Sequence, residues 1–166
     1  LHRVDRRQRQ MCIRDRHLNK YAAKSFDYIK VNSVTDITGF GLLGHALEMA
    51  KASNVSIEIN SKDVPILDGA IDMANMGIIP AGMYRNKEYI SKDVNIIDVD
   101  AAIEDILYDP QTSGGLLISV KEELADKLVE DMKLNGSIVT TPGFFTSPLI
   151  NTCLLYTSPS PRDGLL

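Results

Sequence analysis

Three glycines constrain this chain more than any other feature. Gly39, Gly41 and Gly44 stand in the spacing G-x-G-x-x-G, between a β-branched run, "VNSVTDI", and a run of helical spacing, "GLLGHALEMA". A strand that turns through glycines into a helix opens the dinucleotide-binding unit of doubly wound proteins, where the helix N-terminus receives a pyrophosphate. Glu58 sits near the end of the alternating run "VSIEIN", at about the distance where such a unit carries its ribose-binding carboxylate. One alternative is therefore a NAD-binding Rossmann half of an oxidoreductase, built on Gly39, Gly41, Gly44 and Glu58. Asp36 speaks against it. A carboxylate three residues before Gly39 would repel a pyrophosphate unless a cation lay between them. An Asp at a strand end beside a glycine turn is better suited to holding Mg²⁺ against a phosphate oxygen. Thr35 and Thr38 add hydroxyls of the kind that contact phosphates.

The charge distribution narrows the partners. Residues 17–150 carry 11 Lys+Arg against 19 Asp+Glu, whereas residues 1–16 carry six Arg and two Asp. An acidic body argues against a nucleic-acid partner, which needs a basic face. No apolar run approaches the roughly 18 residues that span a bilayer, and the basic start leads into no apolar signal region. The expectation is a cytoplasmic protein with no membrane partner. Both cysteines, Cys12 and Cys153, lie in terminal strings, "MCIRDR" and "CLLYTSPSPRDGLL", that resemble translated sequencing-adapter read-through. Residues 1–16 and 142–166 are accordingly expected to be non-native tails around a domain of residues 17–141 that has no cysteine and hence no disulfide or thiol nucleophile.

Along the body, apolar spacing predicts helices over residues 18–29, 42–52, 65–76, 100–109 and 122–136. Strands are predicted over 31–37, 55–60, 94–100, 114–120 and 137–141. Residues 77–86, "GIIPAGMYRN", read as a loop from their Gly and Pro content. Met73, Met76 and Met83 read as core residues. The alternation predicts an α/β (α+β) fold with a single mixed β-sheet covered by helices.

A second motif, "DPQTSGGLLISV", places Asp109, Gln111, Thr112, Ser113, Gly114 and Gly115 in one turn ahead of a buried strand. Burying so many polar groups without partners is costly. On physics alone the run is either a turn capped by its own Asp and Thr or part of a binding site. "VTDITGFGLLGHALEMA" together with "DPQTSGGLLISV" closely resembles the C-terminal half of the selenophosphate synthetase (selenide, water dikinase) family. The intervening "VPILDGAIDMANMGIIPAGMYRN" is similar to it as well, so the resemblance covers roughly residues 18–136. It implies the C-terminal domain of the aminoimidazole ribonucleotide synthetase-like fold.

The resemblance also implies an ATP-dependent phosphotransferase that makes selenophosphate, AMP and phosphate from ATP, selenide and water with Mg²⁺, the intact enzyme being a homodimer. It makes Asp36 a Mg²⁺ ligand. It places Thr38, Gly39, Gly41, Thr112, Ser113, Gly114 and Gly115 near the nucleotide. His45 reads as a packed or capping histidine rather than a base, and Arg85 as a surface residue. The family's nucleophilic Cys or selenocysteine, with a Lys three residues later, sits in a glycine-rich segment that has no counterpart here, and Cys12 does not fit it. No catalytic residue is expected in the chain, which by itself should be inactive. A non-catalytic binding domain of the same superfamily is the other alternative.

Overall fold

The computed structural model describes residues 19–111, 114–135, 145–147 and 150–156. A short helix α1, Lys20–Ala23, tightens into a 3₁₀ turn, Lys24–Asp27, and leads to strand β1, Val31–Asp36. Helix α2 follows, Gly41–Ser53, then α3, Ala70–Asn75, α4, Ala81–Ile90, and α5, Ala101–Leu107. Strand β2, Leu116–Lys121, runs directly into α6, Glu122–Leu134. Strands β3, Phe145–Ser147, and β4, Ile150–Tyr156, complete a sheet of order β1-β2-β4-β3.

This is one sheet covered by helices, an α+β fold. Every described pairing is antiparallel, where a mixed sheet was expected. The Rossmann alternative fails on that point. Its glycine turn joins parallel strands through a helix, but β1 pairs antiparallel with β2, and residues 55–60 enter no ladder among the described residues.

Strand β2 organises the interior. Its first five residues are buried and their side chains alternate between two cores. Leu117 joins Ile37, Leu42, Leu43, Met83, Leu107 and Tyr108 on the side of α2, α4 and α5. Leu116, Ile118 and Val120 join Ala22, Ile29, Ala125, Leu128 and Met132 on the side of α1 and α6. Helix α6 is held by that second core: Ala125, Leu128, Val129 and Met132 recur at helical spacing, and Glu122 and Glu123 complement the dipole of its first turn.

Several local expectations change. The helix expected from residue 18 to 29 is one α turn and one 3₁₀ turn, because Ser25 is fully buried and its carbonyl accepts from both Tyr28 and Ile29. Helix α3 starts five residues after Pro65, behind Gly69 at φ +83°. Residues 81–86, expected as loop, open α4. Of the three methionines, Met83 is fully buried, Met73 is half-buried, and Met76 is 61% exposed and so lies outside the core. Residues 55–60 and 94–99 are extended but unladdered, and they flank a groove of about 800 Å³ floored by Leu43, Ala46, Leu47 and Leu107. The strand expected over 137–141 lies outside the described residues. Strands β3 and β4 lie beyond residue 142, where periodicity indicated none. Among the described residues no helix is long and apolar enough to cross a membrane.

On α4, Lys87 holds Glu104 and Asp105 of α5, each at 2.9 Å, and its ammonium lies 5.8 Å over the Tyr108 ring. Partial burial works against the charge on Lys87. The hydrogen bonds and charges of Asp105 and Glu104 outweigh it and leave the group above the ordinary lysine value. Burial, and then the charge of Glu104, push the Tyr108 phenol up as well, against the charge of Lys87. Both folded values are raised. The stability they contribute is therefore full below the ordinary values of 10.5 and 10.0 and is lost as pH climbs through the folded ones. The urea midpoint should hold steady near neutrality and fall above about pH 10, and Lys87→Met should flatten part of that fall, by about 0–1 kcal/mol for so exposed a pair. A midpoint that rises with alkaline pH contradicts this assignment.

Candidate functional site

The register of β1 and β2 brings the two motifs together. Asp36, the last residue of β1, stands opposite Leu116, the first of β2, so the turn after β1 and the turn before β2 lie at one end of the sheet. They join through main-chain atoms. The Ile37 amide donates to the Gly115 carbonyl at 2.9 Å, and the Gln111 amide donates to the Thr38 carbonyl at 2.9 Å. The same Thr38 carbonyl accepts from Gly41 at 3.0 Å and closes the turn into α2.

Two of the expected site glycines are explained by this contact. Gly41 has φ +69°, and a Cβ there would stand 2.8 Å from the Tyr108 carbonyl carbon and oxygen. A Cβ on Gly114 would collide with the Ile37 carbonyl oxygen. Both residues are buried, and what they supply is room for one motif's backbone to lie against the other's. Gly115 is buried too and contributes its carbonyl. Gly39 differs: it is exposed, and nothing lies within 4 Å of where its Cβ would be, so a ligand can approach its backbone. Thr112 and Ser113 lie outside the described residues.

Asp36 is exposed, and among the described residues no hydrogen bond or ion pair reaches its carboxylate. Thr38 is half-buried, with Oγ1 3.1 Å from His45 Nε2. His45 is buried in α2, its Nδ1 is 3.1 Å from Glu48 Oε2, and the Phe40 ring meets it edge-on at 5.7 Å. Arg85 is exposed on α4, and Glu58 is exposed on the unladdered segment 55–60.

One residue that sequence reasoning passed over ties the site together. Asn86, 9% exposed on α4, donates both amide hydrogens of Nδ2, one to the Gly39 carbonyl and one to the Tyr108 carbonyl, each at 2.9 Å. It thereby bridges the glycine turn to the chain entering the second motif. The available signal was the spacing of Met83, Asn86 and Ile90 on one helical face, masked by Pro80 and Gly82. Gly82 belongs in this helix for packing reasons, since its Cβ would lie 2.7 Å from Pro110 Cγ.

Among the described residues the chemistry open to this mouth is that of the exposed Asp36 carboxylate beside an approachable backbone. Among the described residues no three His, Cys, Asp or Glu side chains gather into a metal cluster. Mg²⁺ is commonly held by one or two carboxylates with water and substrate phosphates completing its shell. Asp36 fits a shared site of that kind and not a self-contained one.

The AIR synthase related protein, C-terminal domain family matches residues 9–146. The chain is 75% identical over 123 residues to a selenide, water dikinase of Clostridioides difficile, an overlap of 74% of this chain and 35% of the relative. It is 62% identical over 122 residues to selenide, water dikinase 2 of Peptoclostridium acidaminophilum, again 74% of this chain and 35% of the relative. It is 46% identical over 125 residues to a selenide, water dikinase of Treponema denticola, covering 75% of this chain and 35% of the relative. The chain thus spans about a third of the length of the curated relatives it matches.

Proposed function

Because the chain belongs to the AIR synthase related protein, C-terminal domain family, we propose that it forms the C-terminal part of a selenide, water dikinase. The whole enzyme is read as making selenophosphate, AMP and phosphate from ATP, selenide and water. The observation that carries the reading is the exposed Asp36 carboxylate, unpaired among the described residues, at the mouth where both motifs meet. Asp36 would hold Mg²⁺, which supplies charge neutralisation at the transferring phosphoryl groups. Gly39 lets phosphates come close to the main chain. Gly41, Gly114 and Gly115 keep the two turns in contact, and we assign Thr38, Thr112 and Ser113 to the same mouth.

The reading carries further proposals: a cytoplasmic location, a homodimeric intact enzyme, and no membrane or nucleic-acid partner. The acidic balance of residues 17–150 supports the last of these.

Two outcomes test it. In a full-length dikinase carrying this sequence, Asp36→Asn should lower selenophosphate formation, followed by ³¹P NMR, by about 10²-fold or more, because a metal ion contributes several kcal/mol of charge stabilisation. Undiminished activity would overturn the assignment. In the chain by itself, one carboxylate gives Mg²⁺ little hold. Titration calorimetry with MgATP should show no micromolar binding, and heat evolved at micromolar affinity would mean that the chain carries a complete site.

A further inference from the structure

Behind the glycine turn three side chains stand in series. Glu48 Oε2 is 3.1 Å from His45 Nδ1, and His45 Nε2 is 3.1 Å from Thr38 Oγ1. The direction of the protons follows from the donor inventory. An ionised carboxylate only accepts, so the hydrogen between Glu48 and His45 belongs to Nδ1. In a neutral imidazole Nε2 is then bare and accepts in turn, and the donor within reach is the Thr38 hydroxyl. A hydroxyl has one proton. With that proton turned inward to Nε2, Oγ1 keeps only lone pairs for anything that arrives from outside.

We propose that Glu48 and His45 are positioning residues that fix the polarity of Thr38, holding its hydroxyl proton away from the mouth so that Oγ1 meets a ligand as an acceptor only. The ligand class follows. Such an oxygen takes a divalent cation, or an N–H or O–H donor, and rejects a phosphate oxygen, which is itself an acceptor. This rests on the reading of Asp36 as a metal ligand two residues upstream. It refines that reading: Thr38 addresses the cation and its water, and the phosphates are left to the main chain at Gly39. The arrangement resembles in logic a catalytic triad, in which a carboxylate sets the histidine tautomer. Here the hydroxyl is oriented and no bond to it is made.

The tautomer reads this out without any ligand. In the full 166-residue chain with ¹⁵N-labelled histidine, long-range ¹H–¹⁵N correlation at about pH 9, above the ordinary histidine range, should show His45 protonated at Nδ1 and bare at Nε2. His45→Gln assigns the signal among the three histidines. A proton on Nε2 overturns the proposal, because Thr38 would then be the acceptor and its own hydrogen would face the mouth. Glu48→Ala should shift the ring toward the Nε2–H form while the other amide signals stay in place, and an unchanged tautomer removes Glu48 from the chain of control.

The cation assignment is read with MnCl₂ at about millimolar concentration as a paramagnetic probe. Broadening at the Thr38 and Gly39 amides should survive Thr38→Ser, which keeps the oxygen, and drop severalfold in Thr38→Val. Broadening lost in Asp36→Asn but kept in Thr38→Val leaves the metal reading standing and overturns this one. No broadening in the unaltered chain overturns the cation assignment together with the metal reading of Asp36, while the ring nitrogens still decide the hydroxyl's polarity.

Discussion

Alanine at Gly114 is expected to remove about 3 kcal/mol or more of folding stability, whereas alanine at Gly39 should change it by less than about 1 kcal/mol. The two substitutions are chemically identical and both fall in motif turns. At Gly39 the added methyl meets nothing within 4 Å. At Gly114 it runs into the Ile37 carbonyl oxygen. That oxygen is backbone, so no side-chain rotation relieves the collision, and the chain must move. Moving it strains the neighbouring Ile37–Gly115 hydrogen bond of 2.9 Å and unseats Ile37, which is fully buried in the core beside Leu117. Urea unfolding of the two variants measures the difference. A Gly114→Ala protein within 1 kcal/mol of the parent would mean that the two motifs do not lie against each other as described.

The second large effect is expected at Asn86. Replacing it with Leu removes the donor from two carbonyl oxygens at once; the buried Tyr108 carbonyl left unsatisfied costs about 1–3 kcal/mol, and the Gly39 carbonyl, at an exposed residue, costs less. The loss should be about 1–4 kcal/mol in urea, with the Gly39 and Phe40 amides showing the largest chemical-shift changes. Asn86→Asp should be worse than Asn86→Leu. The volume is kept, but a donor becomes an acceptor facing two acceptors, and the buried carboxyl must either repel them or take up a proton. If Asp is tolerated better than Leu, the amide is not donating to both carbonyls.

These two residues show where sequence reading reaches and where it stops. The glycine turn and "DPQTSGG" stood out because turn chemistry is local: the residue types and their spacing carry the signal within a dozen positions. That the two turns meet is a property of register, which places Asp36 opposite Leu116, and no local pattern encodes register. Periodicity succeeded for α2 and α6, whose buried faces are continuous. It failed for α4 because Pro80 and Gly82 look like loop punctuation. Gly82 is there to clear Pro110, a contact invisible along one dimension. The alternation of residues 55–60 matches one half-buried and one exposed face, yet alternation says nothing about whether a neighbouring strand is present to make a ladder, and here the segment is no strand. His45 and Glu48 lie at helical i,i+3 spacing and were open to pairing from sequence. The link from His45 to Thr38 depends on the turn that Gly41 makes at φ +69°.

The contact between the motifs, and the side-chain bonds beside it, also carry a cost in chain entropy. Asn19 reaches the Gly114 carbonyl across 95 residues of chain, and Asn86 reaches the Gly39 carbonyl across 47. Closing such loops carries an entropic cost that grows with the logarithm of their length, and folding slows as contacting residues lie farther apart in sequence. The backbone hydrogen bonds of helix α6, by contrast, close only a turn apart, although its apolar face still needs the second core. A chain that reaches only residue 60 holds the whole G-x-G-x-x-G fingerprint but not the turn before β2 that it lies against. The end of the sheet where the two turns meet therefore needs chain from both motifs.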